Sequence, residues 1–144
     1  MNERHQFIKQ FIGTEIKNSP SAVTNWLAMI PTMVEVGSWT AKLTVRKDMT
    51  NMAGTLHGGI TATILDDMCG IVCLISGEDH FYSTINLSID YLSGAVAGEE
   101  LLATARIVRK GKNIVNVEAE LRKQDDKLVA KASSNLMVTS PKTS

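Results

Sequence analysis

Three features of this sequence predict an α+β fold in which a curled antiparallel sheet wraps around one long central helix. One helix candidate, Gly59 to Ile75, is apolar nearly all round. A hairpin pattern precedes it, and alternating strand patterns joined by short turns follow it. A helix without a polar face cannot lie on an outer surface, so the sheet has to enclose it. At 144 residues the chain reads as a single domain, 1–144, of which 1–30 form an N-terminal helical extension.

The elements follow in order. Phe7, Ile8, Phe11, Ile12 and Ile16 recur at helical spacing, which predicts an amphipathic helix over residues 3–17. "NSPSAVTNWLAMI" opens on Ser19-Pro20, a helix start signal, and Pro31 ends this second short helix. In "TMVEVGSWTAKLTVRKDM" the strand formers Met33, Val34, Val36, Trp39, Leu43 and Val45 are broken at Gly37-Ser38, as in a hairpin. The long apolar helix comes next, with Gly77 as its stop. "FYSTINLSIDYL" then alternates Ile85, Leu87, Ile89 and Tyr91 with polar residues. "LLATARIVRK" and "NIVNVEAELRK" flank Gly111, and "KLVAKASSNLMVT" follows the Asp125-Asp126 turn. Short turns between alternating strands imply an antiparallel meander. A single curled sheet leaves one side of its helix open, and a second copy of the chain would cover it, so a homodimer is expected.

Composition narrows the function. The formal net charge is zero, so no global field favours nucleic acid or an anionic membrane. The balance is uneven: from Leu101 onward there are nine Lys+Arg against four Asp+Glu, leaving six against eleven before it. That basic part is either a solvated sheet face or a local site for a phosphorylated ligand. Cys69 and Cys73, at i and i+4, lack the further ligands of a structural zinc site, and the three His have no ligand spacing, so no metal is expected. The two thiols read as reduced core residues of a cytoplasmic protein. "MNERHQFIKQF" has no signal-peptide core, and no run reaches about 18 apolar residues, so membrane insertion is not expected.

"NMAGTLHGGITATILDD", residues 51–67, holds the chemistry. Gly58-Gly59 open the helix, where N–H groups have no intrahelical partner and the dipole adds partial positive charge. With no side chain at Gly58 a ligand carbonyl can come close to the backbone, which suits an oxyanion developing on an acyl group. Asp66 is hard to read as a solvated helix acid among Ile64, Leu65, Met68 and Ile71. It follows Gly58 by eight residues, about 12 Å along the axis. One chain therefore cannot bring both to one carbonyl carbon, whereas a symmetry-related chain can.

This stretch resembles the signature of hot-dog-fold acyl-CoA thioesterases of the phenylacetic-acid-degradation (PaaI-like) type: Asn, then His-Gly-Gly, then Asp nine residues after the His. The resemblance runs over roughly residues 30–140 and takes in "INLSIDYLSGA" and "GEELLATARIVRKGKNIVNVEAEL". It implies that Asp66 is the catalytic general base or nucleophile and that the Gly58 N–H, with Gly59 beside it, receives the oxyanion. It also implies that His57 helps hold the thioester end, that Asn51 positions water or substrate, and that Thr84 contributes on the strand after the helix. Each site would be shared across a dimer, with a dimer of dimers left open, and no cofactor is implied. Gly94 stands where relatives often have Pro.

Plainer readings stand beside these. His57 can be a loop histidine, Asn51 a turn residue, Thr84 strand filler and Asp67 a polar-facing or supporting acid. His5 and His80 read as surface residues. "RKGKN" is either a solvated hairpin tip or the place where Arg109, Lys110 and Lys112 meet the phosphates of coenzyme A, with Arg106 and Arg122 weaker candidates. Phe7 and Phe11 either cap the core or line an acyl tunnel. Two other functions remain: a hydratase or dehydratase on the same fold, and a non-catalytic acyl-CoA-binding module.

Overall fold

A computed structural model describes residues 1–139. The order is α1 (Glu3–Lys9), α2 (Ala22–Leu27), β1 (Ile30–Glu35), β2 (Ser38–Thr44), a short 3₁₀ turn (Lys47–Met49), α3 (Gly58–Ser76), β3 (Phe81–Tyr91), β4 (Glu100–Lys110), β5 (Ile114–Lys123) and β6 (Leu128–Thr139). The strands form one antiparallel sheet in the order β1-β2-β4-β5-β6-β3.

Helix α3 lies in the curl of this sheet. By length and composition it could cross a membrane, but here β2 to β6 all pack against it. Ile64, Leu65, Met68, Cys69, Val72, Cys73 and Ile75 are buried. Register explains how the helix sits so close: Trp39, Ala105, Ala119, Ala132 and Ile89 stand opposite one another across five strands, so three adjacent alanines face the helix. Small side chains there leave room for the larger ones of α3. The Trp39 indole N–H also donates to the Met68 carbonyl at 3.0 Å inside the core. The hairpin turns at Gly37, whose φ of +88° is left-handed and suits glycine; its N–H donates to Ser76 Oγ at 2.7 Å.

The N-terminal extension departs from expectation. Of the helix expected over residues 3–17 only Glu3–Lys9 forms, because the chain turns at Gly13 with φ of +87° and then runs back toward β1. There the Gly13 N–H donates to the Pro31 carbonyl and that of Ile16 to the Met29 carbonyl. Ile16 is buried, so its apolar character serves a loop rather than a helix face. His5, expected at the surface, is only 1% exposed because α1 presses it inward. Asn2 caps α1 through its side-chain oxygen and donates from Nδ2 to the Leu74 and Gly77 carbonyls, tying α1 to the end of α3.

Two consequences matter for the site. β3 pairs with β6 alone, so its other edge, 11 residues long, has no partner among the described residues. And among the described residues the side of α3 between the two sheet edges is covered only by the N-terminal extension, over its C-terminal half, with α1 packed on α3 and β1.

Candidate active site

The chain enters the site through a tight loop. Asn51 Oδ1 accepts from the N–H of Ala53 and from the N–H and hydroxyl of Thr55, so this side chain is turned back onto its own loop. The His57 N–H donates to the Met49 carbonyl and that of Leu56 to the Ala95 carbonyl, which anchors the start of α3 to the body. His57 is the N-cap: its Nδ1 accepts from the Gly59 N–H at 2.9 Å. A neutral ring that accepts at Nδ1 carries its proton on Nε2, so the exposed His57 offers a donor there.

Among the described residues no acceptor takes the Gly58 N–H, whereas the Gly58 carbonyl accepts from the Tyr91 hydroxyl at 2.9 Å. The steric demand for glycine falls on its neighbour. A Cβ on Gly58 would meet the Tyr91 ring at an ordinary 3.6 Å, but one on Gly59 would press on the His57 ring at 3.1 Å.

The two acids reverse the expected environments. Asp66 is exposed in the single chain, on the stripe of α3 beside the free β3 edge, and accepts from the Thr84 hydroxyl at 3.0 Å. Its apolar sequence neighbours point to other sides of the helix, into the core. Asp67 is the more buried of the pair. Both of its oxygens accept from the Thr24 hydroxyl, each at 3.0 Å. Burial pushes its carboxyl up to about 6; the Thr24 hydrogen bond opposes that shift, and the charge on Asp66 adds to it.

This makes Asp67 a destabilising group at neutral pH. Unfolded, it has the ordinary carboxyl pKa of 3.8, below the folded value of about 6. Between these the native chain keeps a proton that the unfolded chain has lost, so stability falls as pH rises through the window. Asp67→Asn keeps an acceptor for Thr24 and removes the titration. It is expected to be about 1–3 kcal/mol more stable than the parent at pH 8, with the difference gone below pH 4 in denaturant titrations. A stability difference between variant and parent that is no larger at pH 8 than at pH 4 would contradict this account.

Arg109, Lys110 and Lys112 are all exposed at the β4–β5 tip. Lys110 Nζ lies 3.4 Å from the Ser76 carbonyl, at the C-terminal end of α3. Within one chain the tip therefore stands at the far end of the helix from His57 and Gly58. Cys69 and Cys73 are free and buried, each thiol pushed up to about 12 mainly by burial. Among the described residues no cluster of three or more His, Cys, Asp or Glu could hold a metal.

So the fold joins Asp66 to Thr84, His57 to Gly59 and Gly58 to Tyr91, and leaves Asp66 about two helical turns from Gly58. Tyr91 and Thr24 were missed by sequence reasoning. Tyr91 showed only as one more member of an alternating strand, and Thr24 sits 43 residues before its partner.

Residues 53–130, which take in most of this loop, the central helix, β3 to β5 and the start of β6, match the model of the Thioesterase superfamily. The chain belongs to that superfamily. As a thioesterase-superfamily member it has the expected hot-dog fold, the curled sheet around its helix. It is 32% identical over 95 residues to human acyl-coenzyme A thioesterase 13, covering 65% of this chain and 68% of the relative. It is 27% identical over 150 residues to the medium/long-chain acyl-CoA thioesterase YigI of Escherichia coli K12, covering 94% and 80%. A phenylacetic acid degradation-related protein from Ralstonia eutropha JMP134 superposes with a TM-score of 0.82 at 31% identity, covering 95% of this chain and all of the other.

Proposed function

We propose that this protein hydrolyses acyl-CoA thioesters to a free acid and coenzyme A, in a homodimer that joins the Asp66 of one chain to the Gly58 of its partner. The observation that carries the reading is Asp66 itself. It is an exposed carboxylate on a largely apolar helix, held by one hydroxyl and placed beside a strand edge without a partner among the described residues. A long edge strand invites pairing, and the exposed Phe81, Ile85 and Tyr91 on β3 favour a second copy of the chain over water. Two β3 edges paired antiparallel would run the central helices side by side in opposite directions, so each Asp66 approaches the other chain's helix start.

In this arrangement the thioester oxygen lies against the Gly58 N–H. Asp66 takes a proton from water as its oxygen attacks the carbonyl carbon. The C–S bond then breaks, and the proton passes to the departing thiolate. Direct attack by Asp66 would instead expel the thiolate and form an anhydride, which water then opens at the Asp66 carbonyl. Single turnover in oxygen-18 water separates the two, since only the second route leaves label in Asp66. Thr84 orients the carboxylate, and the His57 Nε2–H faces the thioester end. Asn51 acts through the shape of its loop. The exposed Arg109, Lys110 and Lys112 at the β4–β5 tip supply the positive charge that would meet the phosphates of coenzyme A. The two buried unpaired thiols support a cytoplasmic location.

The test is thiol release from a panel of aryl, medium-chain and long-chain acyl-CoAs, with an enoyl-CoA alongside. Stoichiometric thiol and free acid are expected. Hydration of the enoyl-CoA without thiol release, or tight coenzyme A binding with neither reaction, would overturn the proposal.

A further inference from the structure

Helix α3 shows one stripe outside the core, and the stripe is continuous. Gly59, Thr63, Asp66, Gly70 and Leu74 succeed one another three or four residues apart, and each is exposed or half-buried. Its first half carries the helix start and Asp66. Its second half is the inner wall of a cavity of about 760 Å³, roofed by the N-terminal extension. Gly70, Ile71 and Leu74 form the helix side, Phe7 and Ile8 the roof, and Phe81 the flank. The size is that of a small-molecule pocket, as is the largely apolar lining.

The roof is fastened at both ends. α1 packs on α3 and β1, and Arg4 reaches the other sheet edge, with its guanidinium 4.7 Å from the Phe81 ring and 3.2 Å from Asp79. Asp67 and Thr24 belong to the same wall. Gly70 is the odd residue here. Glycine weakens a helix interior, yet a Cβ at this position would meet nothing within 4 Å. No neighbouring atom excludes a side chain; the empty space above Gly70 is cavity.

We infer that this cavity receives the acyl chain of a straight-chain acyl thioester, entering past Asp66 and running over Gly70 toward Leu74, and that Gly70 sets the chain length accepted. The inference rests on Asp66 being the reacting acid. An acyl carbonyl held at Asp66 has two directions along the stripe. Toward Gly59 it meets the exposed helix start, and toward Leu74 it meets apolar walls that an alkyl chain fills with gain. From Asp66 to Leu74 is about 12 Å along the axis, which suits a medium-length chain lying extended. The N-terminal extension thereby becomes part of the substrate site, and its short α1, ended before Gly13, leaves the roof arched over the stripe.

Gly70→Leu fills the space above the helix, and the test compares butanoyl-CoA with dodecanoyl-CoA. The ratio of kcat/KM for the long substrate to that for the short one is expected to fall at least about tenfold in the variant. Should that variant fail to melt cooperatively, Gly70→Ala carries the same test with a drop of roughly threefold. Dodecanoate binding, read by calorimetry on parent and variant, needs no turnover. A parent that hydrolyses both substrates, with a ratio unmoved by substitution, overturns the chain pocket and leaves the thioesterase reading standing. If the parent hydrolyses no acyl-CoA, the thioesterase reading falls and binding decides the pocket: dodecanoate lost on Gly70→Leu supports it, and equal binding overturns it.

Discussion

Asp66→Asn is expected to lower kcat for acyl-CoA hydrolysis by about 10²–10⁴-fold while melting temperature and assembly state stay at parental values. The reasoning starts from what the carboxylate touches. Asp66 is exposed and accepts one hydrogen bond, from Thr84 at 3.0 Å. An asparagine presents the same acceptor to Thr84, so the fold loses nothing; it lacks the basic oxygen that would take a proton from water or attack carbon. The neighbouring acid is the natural competitor, since a carboxyl raised to about 6 is better matched to neutral proton transfer. Geometry decides against it: both Asp67 oxygens are held by Thr24, in a wall away from the β3 edge. Asp66→Asn must therefore lose far more turnover than Asp67→Asn. If the order is reversed, the raised acid is the base and the Asp66 assignment fails. If Asp66→Asn stays within tenfold of the parent, neither mechanism proposed for it holds.

Much of this was legible in the residues, for a physical reason. A helix apolar all round forces an enclosing sheet, and period-two alternation marks strands whichever neighbours they take. Strand order is different. β3 pairs with β6 and not with its sequence successor β4, so the chain crosses from one edge of the sheet to the interior; alternation in "FYSTINLSIDYL" is the same on either side. The first helix failed for a local reason: Ile12 and Ile16 kept the helical period, but Gly13 adopts a left-handed backbone that breaks the element between them. Within the site the spacing of His57, Gly58 and Asp66 gave the separation along the helix. Burial could not be read that way. Asp66 and Asp67 are adjacent in sequence and about 100° apart on the helix. Which of them meets Thr24 and which meets open space depends on how α2 returns across α3.

Gly58→Pro isolates the other half of the site. Proline is favoured at the first position of a helix, where its missing N–H has no intrahelical partner. It requires an extended residue before it, and His57 already has φ −62° and ψ 136°. A Cβ on Gly58 meets the Tyr91 ring at 3.6 Å, an ordinary contact. The variant should therefore fold and keep its helix cap, because that bond runs from the Gly59 N–H to His57. What it deletes is one N–H. If that N–H receives the oxyanion, kcat falls by about 10²–10³-fold with little change in KM; a kcat within threefold of the parent removes Gly58 from the mechanism. The variant also tests where the second half of each site comes from. Co-expressed Gly58→Pro and Asp66→Asn chains that pair at random form mixed dimers in half of cases, and each mixed dimer has one site with an intact Gly58 from one chain and an intact Asp66 from the other. Sites built across the interface then recover roughly one quarter of parental activity from two inactive variants. Sites built within one chain recover none, because every chain in the mixture lacks one of the two groups.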